Sequence, residues 1–139
     1  MGPLDLTKQK PRGPREMLAG LVFMPRTVDK LRAEQPGGDM GAYLNRPDGL
    51  SAYMCKKVGL DMDDLRAQVA RAQDEAELEV WLQGRLDPVA VAEVNSKMPQ
   101  LGIHKLNDEN VARVKHYHPI LNERPDLVYF FDIFEADEA

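Results

Sequence analysis

The sequence predicts a mainly α fold: a compact single domain over residues 1–139, built from about six or seven short helices. Three observations lead there. Apolar residues recur at i, i+3 and i+4 in segment after segment. Pro, Gly and Asp stand where helices start and stop. Alternating β-branched runs are scarce, so extended sheet has little to draw on.

Residues 1–13 read as an extended N-terminal arm. Gly13-Pro14 then suits a helix start, because proline at the first helical position gives up an N–H that would be unpaired anyway. The spacing predicts a helix presenting Met17, Leu18 and Leu21, broken by Pro25, which opens a second short helix with Val28 and Leu31 inward. Residues 36–49, with two Pro and four Gly, read as the longest loop. Leu50, Tyr53, Met54 and Val58 mark the next helix, which Gly59 ends. Asp61 caps a helix with the stripe Met62, Leu65, Val69 and Ala72.

Asp74 caps another helix, with Glu75 and Glu77 near its positive end, and Gly84 stops it. Its apolar face is Leu78, Trp81 and Leu82, with Trp81 expected to be largely buried against Leu65, Val69 and Val94. Asp87-Pro88 repeats the cap-then-proline start ahead of Val91, Val94 and Met98. Pro99 to Asn107 reads as loop, and Asp108 to about Tyr117 as helix, with Val111 and Val114 inward. Leu127-Val-Tyr-Phe-Phe-Asp-Ile-Phe134 is apolar nearly all round, as a helix or as a short strand; Pro125-Asp126 ahead of it favours the helix. Solvent is no place for it, so the core or a homodimer interface through 127–134 must hide it.

Composition excludes several classes. At 139 residues, 43 % hydrophobic and 29 % charged, the chain is long and apolar enough to bury a core without disulfides or a structural metal. One cysteine, Cys55, allows neither an intrachain disulfide nor a cysteine-rich zinc site. No apolar run approaches the roughly 18 residues of a membrane span. Met17–Met24 is an apolar run after a basic stretch, but it meets Pro25-Arg26 where a signal peptide needs small residues. A cytoplasmic chain without membrane contact is expected. The net charge is −5, yet residues 1–32 carry seven cations against three acids. That basic head is too narrow for the broad positive footprint of nucleic-acid binding.

Four of those cations, Arg12, Arg15, Arg26 and Lys30, are the candidate ligand-binding residues. Arg26 and Lys30 lie four apart on one helix, hence on one face. A guanidinium is a rigid fork suited to carboxylate or phosphate. Asp29 and Glu16 lie in the same segments, so Arg–carboxylate pairs tying the two N-terminal helices to each other or to the body are the more direct reading, ahead of a small-anion site. For proton transfer the candidates are Asp29, Tyr43, His116 and His118. His116 and His118 point about 200° apart if helical, and Pro119 biases His118 away from helical angles. A metal site would need a third ligand, His104 or Asp108, at a spacing that matches no ligand signature, so no metal and no cofactor are expected. Cys55 reads as a buried thiol, although Lys56 and Lys57 would lower its pKa if they faced it. No nucleophile elbow or phosphate loop is present.

Arg12-Gly-Pro-Arg-Glu16, Met24-Pro-Arg-Thr-Val-Asp-Lys30, a Leu-Asp-x-x-x-Leu helix start and a Glu-x-x-x-Trp-Leu helix at Glu77–Leu82 form a series. It resembles the uncharacterised bacterial family called domain of unknown function 5069. The resemblance spans most of the chain and is sharpest over residues 11–33. Many members carry Ser where this chain has Gly13, which weakens the helix cap expected there. The resemblance implies a single small helical domain and no activity. A domain binding a small anion or a protein partner, a small cofactor-free enzyme on an anionic substrate, and a structural subunit all remain open.

Overall fold

The structure is a computed structural model describing residues 1–46 and 49–139. The described residues are mainly helical, with eight α-helices and one small two-stranded sheet. The loop expected over 36–49 is described except at 47 and 48, which lie outside the described residues. The chain forms two compact units, Met1–Asn95 and Ser96–Ala139, and the division falls within helix α5 (Pro88–Lys97).

In the first unit, the helix expected after Pro14 is instead a hairpin of β1 (Met17–Leu18) and β2 (Leu21–Val22). Met17 pairs with Val22, and Leu18 with Leu21. Ala19 and Gly20 have φ of 53° and 76°, the positive signs a type I′ turn requires at both central positions. A short apolar run fits either period, and here turn chemistry decided. Asn95 of α5 completes the hairpin edge: its Oδ1 accepts from Val22 N at 3.0 Å and its Nδ2 donates to the Gly20 carbonyl at 2.7 Å.

Helix α1 (Met24–Ala33) follows directly, with Pro25 in its first turn as expected. Every residue from Leu21 to Asp29 is buried. Its N-cap, Phe23, sits at φ 69°, a left-handed conformation that costs a bulky residue about 1–3 kcal/mol. Thr27 Oγ1 lies 3.0 Å from the Phe23 carbonyl and 2.8 Å from Ser51 Oγ, joining α1 to α2 (Leu50–Lys57) in a buried hydroxyl pair. Asp61 caps α3 (Met62–Arg71) by accepting from Asp64 N, and Asp74 caps α4 (Glu75–Gln83) by accepting from Glu77 N. The Met1 ammonium donates to the Val69 and Ala72 carbonyls at the end of α3, where helix carbonyls lack partners. Leu65, Val69, Leu78 and Leu82 join Val28, Leu31 and Met54 among the fully buried core residues.

Trp81 corrects the sequence expectation: it is half-buried, with the Arg85 guanidinium 4.7 Å from its ring centre. Leu78 and Leu82, four apart, fill the inward face of α4, which leaves Trp81 at its edge. Cys55 is 2 % exposed, and burial, with a smaller push from the Asp61 charge, raises its thiol to about 12. The raised value sets a sign. An unfolded thiol ionises near pH 9 while the folded one stays protonated, so above pH 9 the unfolded state binds fewer protons and stability falls. We expect the wild type to lose up to about 1.4 kcal/mol per pH unit more than Cys55→Ala between pH 9 and 11. Parallel slopes in urea titrations would show that Cys55 reaches solvent.

The arm and the long loop meet at Asp39, whose carbonyl accepts from Leu6 N at 2.8 Å and whose N–H donates to the Leu4 carbonyl at 3.0 Å. Gly41 follows at φ 56°, and an added Cβ would lie 3.3 Å from the Leu6 carbonyl oxygen. Glycine is required there for conformation and for space.

In the second unit, the stretch read as loop contains 3₁₀ turns at Met98–Gln100 and Ile103–Lys105. Asn107 Oδ1 caps α6 (Asp108–Tyr117), and one helical turn, α7 (Ile120–Glu123), follows. The apolar C-terminal segment is divided. Leu127–Tyr129 is extended and pairs with Leu101–Ile103, through Ile103 N to the Val128 carbonyl at 2.9 Å and Phe130 N to the Leu101 carbonyl at 3.0 Å. Helix α8 (Phe130–Asp137) begins only then. Leu121, Leu127 and Ile133 form the buried cluster, with Ile103, Val114, Ile120, Phe130 and Ala136 against it. Among the described residues no helix is long and apolar enough to cross a membrane.

Candidate functional site

The sequence-derived residues fall into two groups, one in each unit. Arg12, Arg15, Arg26, Asp29, Lys30 and Tyr43 belong to the first unit; His116 and His118 belong to the second.

Asp29 lies on the buried face of α1, 5 % exposed. Arg12 closes on it from the arm. Arg12 Nε and Nη2 reach Asp29 Oδ2 and Oδ1 at 3.1 and 3.0 Å, and the Arg12 backbone N–H donates to Oδ2 at 2.8 Å. The other side of the fork meets Glu75, in the first turn of α4, with Nη1 3.0 Å from Oε2 and Nη2 2.6 Å from Oε1. Burial works to lower the Arg12 pKa, but the hydrogen bonds to Glu75 and Asp29 and their charges outweigh it and hold it above the ordinary arginine value. One guanidinium thereby ties arm, α1 and α4 together.

Arg26, one helical turn before Lys30, is 4 % exposed. Its Nη1 donates to the Arg12 carbonyl at 3.3 Å. Its guanidinium lies 5.9 Å from the Phe23 ring centre and 5.6 Å from that of Tyr43. Aromatic faces attract a guanidinium at such range. The loop residue Tyr43 therefore stands beside Arg26, while Arg15 is exposed and Lys30 half-buried. Glu16 leaves the cluster to accept from Gly13 N at 2.7 Å.

In the second unit His118 is the C-cap of α6, and its Nδ1 lies 2.9 Å from Asp137 Oδ2 on α8. Its ring also packs on Phe134, with centres 5.3 Å apart. His116 is exposed and turned edge-on to Tyr117, and His104 lies edge-on to Tyr129. Among the described residues no group of His, Cys, Asp or Glu has a metal-binding arrangement.

Sequence reasoning missed Glu75, Phe23 and Asp137. Glu75 was legible only as a helix-start acid. The left-handed Phe23 and the pairing of Asp137 with a residue 19 positions earlier leave no local signal.

No curated protein matches the chain. The family model for a domain of unknown function (DUF5069) matches residues 8–139, from the arm that carries Arg12 to the last residue of the second unit. The sequence signature and the matched span agree, and the chain belongs to the DUF5069 family.

Proposed function

We propose that this chain is a non-catalytic binding domain that takes a small oxyanion, a carboxylate or a phosphate, at Arg26. Lys30 lies one turn along the same helix, and Tyr43 stands against the guanidinium. Closure of Arg12 on both oxygens of Asp29 carries this reading. It commits the Asp29 carboxylate to holding the arm to α1, which favours a scaffold role for Asp29 over a proton-transfer role. Arg12 then serves as scaffold, and Arg15 as an exposed cation on the flank.

A ligand that binds only the folded state stabilises it by mass action, by about 2.7 kcal/mol at one hundred times its Kd. Inorganic phosphate, sulfate and a dicarboxylate are expected to raise the melting temperature saturably in wild type. Arg26→Lys should lose most of that rise, measured from its own baseline, because a point charge does not replace a bidentate fork. A response that follows ionic strength alone would remove the binding site.

A cofactor-free enzyme is the second reading, favoured by the His118–Asp137 pair. A carboxylate on Nδ1 fixes the tautomer and orientation of an imidazole, as a general base needs. Turnover of a small phosphate or carboxylate ester that Asp137→Asn abolishes would favour it over binding alone.

A further inference from the structure

One stretch of the second unit is extended and paired along only one side. Residues 127–129 face 101–103, where the Ile103 N–H donates to the Val128 carbonyl at 2.9 Å and the Phe130 N–H to the Leu101 carbonyl at 3.0 Å. Tyr129 stands opposite Gly102, and a Cβ on Gly102 would strike the Val128 carbonyl, so that side is closed backbone on backbone. Main-chain groups of successive strand residues point to opposite sides. The Tyr129 N–H and the Leu127 carbonyl therefore point away from 101–103. Among the described residues neither has a partner. The Tyr129 carbonyl accepts from Ile133 N in α8, and the Leu127 N–H donates to the Arg124 carbonyl. What is left is one donor and one acceptor flanking Val128, the spacing at which a further strand bonds.

The same stretch lines a cleft of about 450 Å³, a size within the range of ligand clefts. Residues 127–129 supply part of its wall, and Asp132, Glu135 and Ala136 of α8 supply another part. Arg124 and Asp126 complete the lining, joined by two hydrogen bonds of 3.0 and 2.9 Å. That pair is neutral as a whole, so Asp132 and Glu135 give the lining a negative sign. Both acids have other contacts in the fold, and what they add to the cleft is charge rather than an open hydrogen-bonding site. A small oxyanion is disfavoured there. An extended main chain meets both the bare donor and the bare acceptor, and a lysine or arginine on it meets the acids.

We propose that the open edge of 127–129 docks an extended, cationic segment of a partner protein, which adds one strand beside Val128. The site is independent of Arg26 and lies wholly within the second unit. The Tyr129 N–H and the Leu127 carbonyl supply the hold, and they accept a strand running in either direction. Charge on the cleft sets which segments are taken. Two main-chain bonds make the contact weak and reversible.

Tyr129 allows the edge to be blocked while the fold is kept. Its φ is −82°, close to the angle proline imposes, and its N–H holds nothing among the described residues. Val128 before it is already extended, as a residue ahead of proline must be. Tyr129→Pro removes the donor, whereas Tyr129→Ala removes the ring and keeps the donor. The probe is a fluorescein-labelled octapeptide of alternating lysine and valine, titrated by anisotropy into the intact chain. Saturable binding is expected in wild type and in Tyr129→Ala. In Tyr129→Pro it should be about tenfold weaker, one hydrogen bond at the upper end of its range. The same peptide N-methylated along its backbone should not bind wild type, which tests the edge even where Tyr129→Pro fails to fold. Glutamate in place of the lysines should weaken binding, and 1 M salt should narrow that difference. Equal binding of the N-methylated peptide, or full affinity in a folded Tyr129→Pro chain, would overturn the edge. Equal binding of the lysine and glutamate peptides would overturn the cationic occupant. So would a wild-type dimer that Tyr129→Pro dissociates, because a second copy would then hold the edge. No saturation with the lysine peptide removes the proposal whole.

Discussion

Arg12→Ala is expected to destabilise the first unit by about 3 kcal/mol or more, the cost of leaving a buried carboxylate without its partner. Asp29 is 5 % exposed, and Arg12 supplies both of its side-chain hydrogen bonds together with a backbone N–H. Alanine keeps the backbone bond and removes the charge that neutralises Asp29. The Glu75 side chain is 40 % exposed, so Glu75→Gln should cost no more than about 1 kcal/mol. Adding Asp29→Asn to Arg12→Ala should recover part of the loss, because the orphaned charge disappears. Urea unfolding of wild type, Arg12→Ala, Asp29→Asn and the double variant gives the cycle. An Arg12→Ala chain as stable as wild type would mean that the guanidinium is an ornament of the surface and that Asp29 finds its protons or its water elsewhere.

Phe131→Glu is expected to unfold the second unit. Phe131 is fully buried in the first turn of α8, as is Ile133 further along the same helix. Phe131→Ala already costs about 3–5 kcal/mol at such a site, and a buried carboxylate adds its desolvation. Loss of near-ultraviolet dichroism and of amide protection over residues 96–139 would report it. A folded Phe131→Glu chain that differs only in a lower sedimenting mass would place this ring at an interface between copies.

Most of the helices were legible because their ends carry chemistry. Asp61 and Asp74 cap where their spacing says they should, and Pro25 and Pro88 open helices because a missing N–H costs nothing in a first turn. The segment 17–22 was not legible. Leu18 and Leu21 satisfy a helical period as well as a cross-strand pair, and an alanine in the left-handed region has no signature in composition. The C-terminal segment misled in another way: its apolar character was clear, but the change from strand to helix at Phe130 depends on pairing with Leu101–Ile103. In the candidate site, the placing of Arg26 and Lys30 one turn apart on one helix followed from helical periodicity, whereas the contact of Tyr43 with Arg26 joins a loop to a helix and follows from no local rule. The Arg12–Glu75 pair spans 63 residues, and no local rule reaches so far.

Strands of two residues on an Ala-Gly turn cannot hold themselves together in water. The edge that β2 and the turn present is paired by Asn95, 73 residues after Val22 and 75 after Gly20. Closing a loop of that size must precede any reward from those bonds, so the hairpin belongs to the late, non-local part of folding. Until α5 arrives, Leu18, Leu21 and Val22 lack the completed edge that Asn95 supplies. The nascent chain therefore carries its most apolar early segment exposed until most of the first unit has been synthesised, which is the interval in which aggregation competes with folding.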